Sequence, residues 1–341
     1  MVNSVESVNF APEQWQYWGG FFGEALRPTI SREIRQPRET ARNPVVRTYY
    51  KPRLAVFDRR REYVEYVQQN FGGSVREQPL RKSTPEEGDY NFPGDRGFLW
   101  RLANTPSILT LLQEIEPYII SQSELVKIMM EFLSAKQERV SEFQGSNNQI
   151  SDAADKREEE EAEFSQLLTL ARSNRHEVRG PLSSANLAGV LDASGAISIT
   201  RSQRSRGNVE YGTRVEIHSD NNLLLGTLVE QYGKTTYPIR HGQPVVYSDK
   251  RFYLSIGRAD DIRSVLESTL PHLNLQRRQA EIALGFLDVQ QTLLGGSETK
   301  GWRARRGALA EVLEKHSNPS IDMVTMLREG FYSEMYRLNH E

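Results

Sequence analysis

The amino-acid sequence predicts an α+β fold made of two pseudo-symmetric units, each with the element order αββαββα. Hydrophobic periodicity gives this order twice along the chain, which is typical of an internal repeat. Two fragments also align between the copies: residues 114–120 with 268–274, and 124–133 with 278–287. The 341 residues are enough for two such units with extensions.

The first unit starts with a helix that we expect over Gln14–Leu26, with Pro28 at its end because proline cannot continue a helix. A second helix is expected over Arg59–Phe71 and stops at Gly72. A third opens at Thr105, a capping residue followed by proline. The other expected elements are four strands and a last helix: Thr29–Ile34, Tyr49–Phe57, Ser74–Arg81, Gly97–Ala103 and the helix from Ser123.

The second unit repeats this order. It opens with a short helix that starts near Leu187, and a strand follows it directly. Its third helix is expected to end before Pro271. The expected strands are Ala196–Arg201, Thr213–His218, Thr236–Arg240 and Arg251–Ile256, and the later helices are Asn221–Tyr232, Ala259–Leu270 and Gln276–Leu287.

The segments outside the two units are helical or charged. A run of glutamates, Glu158–Glu161, is typical of a solvated helix within a linker. After a Gly-rich break, two amphipathic helices are expected at Trp302–His316 and Ile321–Leu338. The chain is therefore divided into a first unit at 11–140, a charged linker or helix at 141–181, a second unit at 182–294 and a C-terminal helical extension at 302–341.

The net charge of −2 is unusual for a duplex-binding protein, which usually carries a basic field. The charge is unevenly distributed, however. Residues 27–82 contain 14 Lys/Arg against 6 Asp/Glu, and residues 201–263 contain 10 against 7. Residues 152–163 contain 2 against 7. A basic surface is therefore compatible with the near-neutral total.

Several classes of protein are excluded by composition. The absence of cysteine excludes disulfides and thiolate metal sites, and the six histidines show no metal-ligand spacing. No apolar run reaches the roughly 20 residues of a membrane span. The polar N-terminus does not resemble a secretory signal. We therefore expect an intracellular protein of the cytoplasm, nucleoid or an organelle, without membrane contact.

The most informative stretch is Leu187-Ala-Gly-Val-Leu-Asp-Ala-Ser-Gly195, which precedes the strand-like Ala196–Thr200. It resembles the signature of the LAGLIDADG homing endonucleases, and Gly20-Phe-Phe-Gly-Glu-Ala25 resembles a variant of that motif. The resemblance implies a monomer with internal two-fold pseudosymmetry. Its units would meet through the motif helices, and its paired antiparallel sheets would form a saddle over DNA.

Close approach of the motif helices requires small residues at their contact. Gly189 and Ala193 lie four residues apart in the second motif, and Gly19 and Gly23 have the same spacing in the first. With the adjacent Gly20, these five residues form the predicted helix interface.

The family's chemistry needs an acid at the base of each motif helix, where it holds a divalent metal. Ser194 occupies this position in the second motif, and a neutral hydroxyl binds Mg²⁺ weakly. In the first motif two alignments stay open. Without a gap, Ala25 occupies the acid position; with a one-residue deletion, Glu24 is the surviving acid. Mg²⁺ is expected as a cofactor only if Glu24 is functional, and no other cofactor is expected.

Family members read DNA with outward side chains of the strands and with the loops between them. Strand alternation places Ile30, Ile34, Ile197 and Ile199 inward. Glu33 and Glu210 are unfavourable beside phosphates. The predicted nucleic-acid-binding residues lie on the outward strand positions and in the two hairpin loops: Ser31, Arg35, Arg38, Arg42, Arg47, Ser198, Thr200, Arg204 and Arg206.

The leading hypothesis is a relative of these endonucleases that binds DNA sequence-specifically but has lost efficient cleavage. Its role would be in regulation or recruitment, or as an accessory factor of a mobile element. Three alternatives stay open: a maturase-like protein that binds a group I intron RNA, a protein-interaction scaffold that uses the C-terminal helices, and an endonuclease with residual nicking activity.

Overall fold

The structure is a computed structural model that describes residues 10–35, 47–79, 96–143, 150–173, 178–203, 209–219, 221–232, 245–247, 251–293 and 321–340. The chain divides into two compact units, Met1–Gly189 and Val190–Glu341. The division falls inside a helix, Ser184–Ser194.

The first unit contains one four-stranded antiparallel sheet, in the strand order β1-β2-β4-β3. Its helices pack on the sheet face that carries the alternating apolar residues. The elements are α1 (Pro12–Ala25), β1 (Leu26–Arg35), β2 (Arg47–Asp58), α2 (Arg61–Phe71), β3 (Ser74–Pro79), β4 (Arg96–Leu102), α3 (Thr105–Ile115), α4 (Ser123–Phe143) and α5 (Ile150–Ser173). A 3-10 turn, Glu116–Tyr118, joins α3 to α4.

The second unit contains a sheet of the same topology, in the order β5-β6-β8-β7, again antiparallel throughout. This confirms the predicted α+β class with two antiparallel sheets. The elements are α6 (Ser184–Ser194), β5 (Gly195–Gln203), β6 (Val209–Ser219), α7 (Asn222–Tyr232), β7 (Val245–Tyr247), β8 (Arg251–Ile256), α8 (Ala259–Thr269), α9 (Arg277–Leu293) and α10 (Ile321–His340).

An aromatic cluster fixes α1 on the first sheet. The ring of Trp18 lies 4.7 Å from that of Phe71 in α2, and Phe22 lies 5.3 Å from the same ring. The indole nitrogen of Trp100 in β4 donates a hydrogen bond to the carbonyl of Gly72 at 2.7 Å. Gly72 ends α2 with a φ of +67°, a conformation that glycine adopts without strain. The end of α1 is thereby held against the start of the sheet.

Two elements differ from the sequence prediction. Helix α1 ends at Ala25, and Pro28 lies within β1, where it is opposite Leu54. Proline is tolerated there because β1 is an edge strand and one side of it forms no ladder hydrogen bonds. The strand expected at Thr236–Arg240 lies outside the described residues, and the strand that pairs with β8 is Val245–Tyr247.

The repeat is longer than predicted, because α5 and α10 are equivalent helices. Helix α5 packs on β1 and α4, and α10 packs on β5 and α9. Glu158 of α5 lies 3.6 Å from Arg32 of β1, and Glu329 of α10 lies 3.7 Å from Arg201 of β5. Arg32 and Arg201 follow their motif helices by the same number of residues. Each unit therefore ends with an additional helix on its first strand, and α5 is a packed element rather than a solvated linker.

Candidate nucleic-acid interface

The motif helices α1 and α6 approach each other closely where each carries a glycine. A Cβ at Gly20 would lie 2.0 Å from the carbonyl oxygen of Asn186, and a Cβ at Gly189 would lie 2.0 Å from that of Tyr17. The Asn186 side chain also donates a hydrogen bond to the carbonyl of Gln16 at 2.6 Å. These residues all belong to the first compact unit. Glycine at these two positions therefore sets the distance between α1 and the first half of α6.

The same contact gives equivalent reference positions in the sequences of the two helices. Gly20 and Gly189 make equivalent contacts, and Ala25 follows Gly20 by as many residues as Ser194 follows Gly189. Ala25 and Ser194 are also the last residues of α1 and α6. The structure therefore favours the alignment without a gap, in which neither helix ends in an acid.

The polar groups at these helix ends bind neighbouring protein atoms. Ser194 Oγ donates a hydrogen bond to the carbonyl of Val190, one turn earlier in its own helix, at 3.1 Å. Glu24 is half-buried, and Ser121 Oγ donates to its carboxylate at 3.4 Å. The backbone carbonyl of Glu24 accepts a hydrogen bond from the Arg27 guanidinium at 3.2 Å. Glu24 is thus directed to the turn before α4.

Two of the predicted interface glycines contact a different element. A Cβ at Gly19 would lie 2.1 Å from the carbonyl oxygen of Tyr118, and one at Gly23 would lie 2.8 Å from Ser121 Oγ. Gly19 and Gly23 were predicted to contact the other motif helix, but their closest contacts are with the segment between α3 and α4. The G-x-x-x-G spacing identified a close contact but not its partner. Ala193 is half-buried near the end of α6.

Asp192 binds the backbone immediately before α9. Its carboxylate accepts backbone N–H bonds from Asn274 at 2.8 Å, Leu275 at 3.0 Å and Gln276 at 2.8 Å. These donors precede α9, where a helix leaves N–H groups without internal partners. Both oxygens of the only carboxylate in the second motif therefore accept backbone hydrogen bonds. The equivalent position in α1 is Gly23, whose carbonyl accepts hydrogen bonds from the side chains of Ser121 and Gln122.

The open face of the first sheet is basic. Strand alternation buries Leu26, Ile30, Leu54 and Trp100 on the opposite face. Among the residues whose side chains the structure describes, the cross-strand register places one carboxylate, Glu33, and five cationic side chains on the open face: Arg27, Lys51, Arg53, Arg76 and Arg101. None of these five was predicted as a binding residue, although the alternation of apolar and basic residues in β2 and β4 is visible in the sequence.

Arg53, Arg76 and Arg101 form a cluster of like charges on three neighbouring strands. Arg101 is opposite Ala55 in β2 and Ser74 in β3, so Arg53 and Arg76 are its diagonal neighbours. Such diagonal positions are about 7–8 Å apart and within reach of long side chains. The pKa of Arg101 is lowered, first by burial and then by the positive charges of Arg76 and Arg53. In the described part of the chain no carboxylate forms an ion pair with any of the three.

The outer end of this sheet is a two-stranded ribbon of β1 and β2. Ser31 Oγ donates to the carbonyl of Lys51 at 3.3 Å, and the Lys51 ammonium forms an ion pair with Glu33. Ile34 lies on the same side of β1 as Ile30, as predicted, but it is 53% exposed rather than buried. The pairing of β2 with β4 stops at Leu54, and beyond it the apolar side of the ribbon lacks the third strand.

The predicted loop arginines are only in part described. Arg35 and Arg47 are opposite each other at the ends of β1 and β2, so Arg47 belongs to a strand rather than to the loop. The remaining four lie outside the described residues: Arg38, Arg42, Arg204 and Arg206.

Beside the arginine cluster the open face of the first sheet is apolar. Phe57 and Leu99 are opposite each other on β2 and β4. Phe57 directly follows Val56, which is opposite Leu26, the first residue after α1. The Phe57 ring lies over Gly97, where a Cβ would be 2.2 Å from its Cζ atom. Phe57 is nevertheless 41% exposed. A flat aromatic ring thus faces outward next to Arg76 and Arg101.

The open face of the second sheet has a different charge pattern. Ser198 is half-buried, and Thr200 is exposed and donates to the carbonyl of Gly212 at 3.1 Å. Arg214 is opposite Ser198 and lies 3.3 Å from the carboxylate of Glu216. The described residues of this face thus provide paired charges rather than a cluster of cations. Ile197 and Ile199 are buried, as the sequence predicts.

No metal centre is evident in the described part of the chain: no group of three or more His, Cys, Asp or Glu residues is placed to hold an ion. Among the same residues, no helix is both long and apolar enough to span a bilayer. What the described residues bring together is a close helix contact, helix ends without acids, and a basic sheet face.

Comparison with known proteins supports one fold. No protein-family model and no curated protein matches the chain. Among solved structures, the LAGLIDADG homing endonuclease I-GzeII in complex with its DNA target superposes with a TM-score of 0.54 and 10% identity, over 90% of this chain and 98% of that one. I-SmaMI bound to an uncleaved DNA target with calcium ions gives 0.55 and 12%, over 95% and 98%.

The chain has the LAGLIDADG homing endonuclease fold. The meganuclease I-CpaMI, bound to uncleaved DNA, gives a further match with a TM-score of 0.51 and 11% identity, over 83% of this chain and 93% of that one. The fold expected from the sequence motif is thereby confirmed. Because identity is so low, the activity of this LAGLIDADG-fold protein has to be argued from its own residues.

Proposed function

We propose that this protein binds double-stranded DNA sequence-specifically and has lost efficient cleavage. The single observation that supports binding most strongly is the basic open face of the first sheet, where Arg53, Arg76 and Arg101 lie together without carboxylate partners among the described residues. Clustered arginines repel one another, and a polyanion relieves that repulsion. The solved proteins of the same fold were crystallised with DNA, which supports duplex DNA as the polyanion.

The helix ends support the loss of cleavage. Metal-dependent hydrolysis of both strands needs carboxylates that hold divalent ions near each scissile phosphate. Ala25 and Ser194 end the two helices, and Asp192 caps α9 through both carboxylate oxygens. A methyl group and a hydroxyl group do not replace anionic ligands. The proposal therefore separates binding, which the sheet face carries, from chemistry, which these helix ends lack.

Binding is tested by selection from random duplex and RNA pools, followed by titration of the selected site at several salt concentrations. We expect an enriched duplex whose affinity falls steeply with salt, because each neutralised phosphate contributes about 0.9 to the slope of log K against log salt. Replacing Arg53, Arg76 and Arg101 together by alanine should weaken binding at least roughly 100-fold, since each well-placed arginine contributes about 1–3 kcal/mol.

The matched control removes three arginines from helices of the second unit: Arg277, Arg278 and Arg337. This variant has the same net charge as the sheet variant and should retain affinity within a few-fold. Equal losses in the two variants would contradict an interface on the first sheet. Enrichment of one structured RNA instead of a duplex would favour a maturase-like role, and enrichment of neither would favour a protein scaffold.

Cleavage is tested on the selected duplex with Mg²⁺. The natural chain should leave both strands intact, whereas Ala25→Asp combined with Ser194→Asp should restore metal-dependent cutting if the missing acids account for inactivity. Clean double-strand cutting by the natural chain would refute the proposed loss. Slow cutting of one strand that disappears in Glu24→Gln would identify Glu24 as a remaining metal ligand.

A further inference from the structure

The open face of the first sheet is organised in cross-strand rows. One row contains Phe57, Leu99 and Arg76, on β2, β4 and β3. The next row outward from the end of α1 contains Arg101, with Ala55 and Ser74 on either side. The third row contains Arg53, which is opposite Thr29 in β1. The face therefore has an apolar patch close to α1 and guanidinium groups beside and beyond it.

These two surfaces match different base edges. A major groove admits a β-ribbon, and arginine bonds bidentately to O6 and N7 of guanine. An apolar side chain contacts the C5-methyl group of thymine, which cytosine lacks. Arg101 is the arginine best placed to contact a base, because the small side chains of Ala55 and Ser74 leave space around its long side chain. Because Gly97 has no side chain, the Phe57 ring can lie against the sheet with its outer surface exposed.

We propose that the first sheet reads a guanine through Arg101 and a neighbouring thymine through Phe57 and Leu99. The inference rests on the proposed DNA binding and adds the bases that this face selects. Successive rows are two residues apart, or about 6.7 Å along a strand. Because the bases of one strand are about 3.4 Å apart along the axis, the two selected positions should lie within about two base pairs of each other.

The test compares the sequence preferences of the natural chain with those of Arg101→Lys and Phe57→Ala. Lysine retains the positive charge but lacks the planar pair of donors. Arg101→Lys should therefore lose the guanine preference at one position, roughly 5- to 150-fold, with the salt slope unchanged. Phe57→Ala should lose the thymine preference at a nearby position by about fourfold. Arg337→Lys, on α10, is the matched control and should change neither preference.

A second measurement uses the unmodified protein, so it does not depend on the folding of a variant. In the selected duplex, 7-deazaguanine removes the N7 acceptor and uracil removes the thymine methyl group. Each replacement should weaken binding at its own position and not at other guanines or thymines that the sheet does not contact. If Arg101→Lys keeps the guanine preference, or changes affinity by the same factor for every sequence, Arg101 contacts phosphate rather than a base, and the base-reading inference is overturned. If the natural chain selects no duplex at all, it is the proposed function that fails.

Discussion

The contact between the motif helices leads to a quantitative prediction about glycine. In Gly20→Ala, the new methyl group would lie 2.0 Å from the Asn186 carbonyl oxygen, well inside van der Waals contact. The oxygen belongs to the backbone of α6 and the methyl carbon is bonded directly to the backbone of α1, so relief requires the helices to separate. Overpacking of this kind costs typically about 1–3 kcal/mol. Alanine has a higher intrinsic helix propensity than glycine by about 1 kcal/mol, which offsets part of that cost.

The matched control separates these two effects. Gly226 lies inside helix α7, and a Cβ there would have no heavy atom within 4 Å. Gly226→Ala should therefore gain only the helix propensity and raise the stability by about 0.5–1 kcal/mol. The free energy of unfolding of Gly20→Ala should lie about 1–3 kcal/mol below that of Gly226→Ala, since the difference isolates the steric cost.

The measurement is urea unfolding followed by far-UV circular dichroism, with Gly189→Ala as an independent test of the same contact. Gly20→Ala and Gly189→Ala should each shift the transition to lower urea. Their effects in the double variant should be less than additive, because one separation of the helices relieves both clashes. Unfolding of Gly20→Ala at the same urea concentration as Gly226→Ala, or higher, would refute the assigned contact.

Two further predictions concern polar groups. Asp192→Ala leaves three backbone N–H groups before α9 without their acceptor and should lower the free energy of unfolding by about 1–3 kcal/mol; an unchanged urea transition would contradict the capping role. Glu158→Gln and Glu329→Gln each break an exposed ion pair and should cost less than about 1 kcal/mol, with the loss vanishing in high salt; a larger, salt-independent loss would mean that these glutamates are structural.

The sequence predicted what depends on local pattern. Helical and strand periodicity placed most elements within a few residues, and alternation correctly buried Ile30, Ile197 and Ile199. It failed at Ile34, because alternation assigns a side of the strand but does not say where the covering layer ends. The ribbon of β1 and β2 continues beyond the third strand, and an inward residue there meets solvent.

The proposed binding face was the part of the site that was hardest to predict from the sequence. The sequence pattern predicted binding residues in the hairpin loops, such as Arg38 and Arg42. The cluster of Arg53, Arg76 and Arg101 instead comes from three strands separated by long connections. Their proximity depends on strand order and register, which no local pattern encodes. The helix pair α5 and α10 was missed for a similar reason, because their equivalence appears only in their contacts with β1 and β5.

The positions of the motif helices serve two separable requirements. Gly20 and Gly189 meet a geometric requirement, since any larger residue would collide with a carbonyl oxygen of the neighbouring helix. Ala25 and Ser194 stand where the family resemblance places a chemical requirement, and neither is among the closest contacts of Gly20 and Gly189. A chain can therefore lose its acids at little structural cost while glycines, caps and sheet register remain coupled to folding. For this reason the arginine-rich face is the stronger support for the proposed DNA binding: clustering like charges there is unfavourable unless an anionic partner binds.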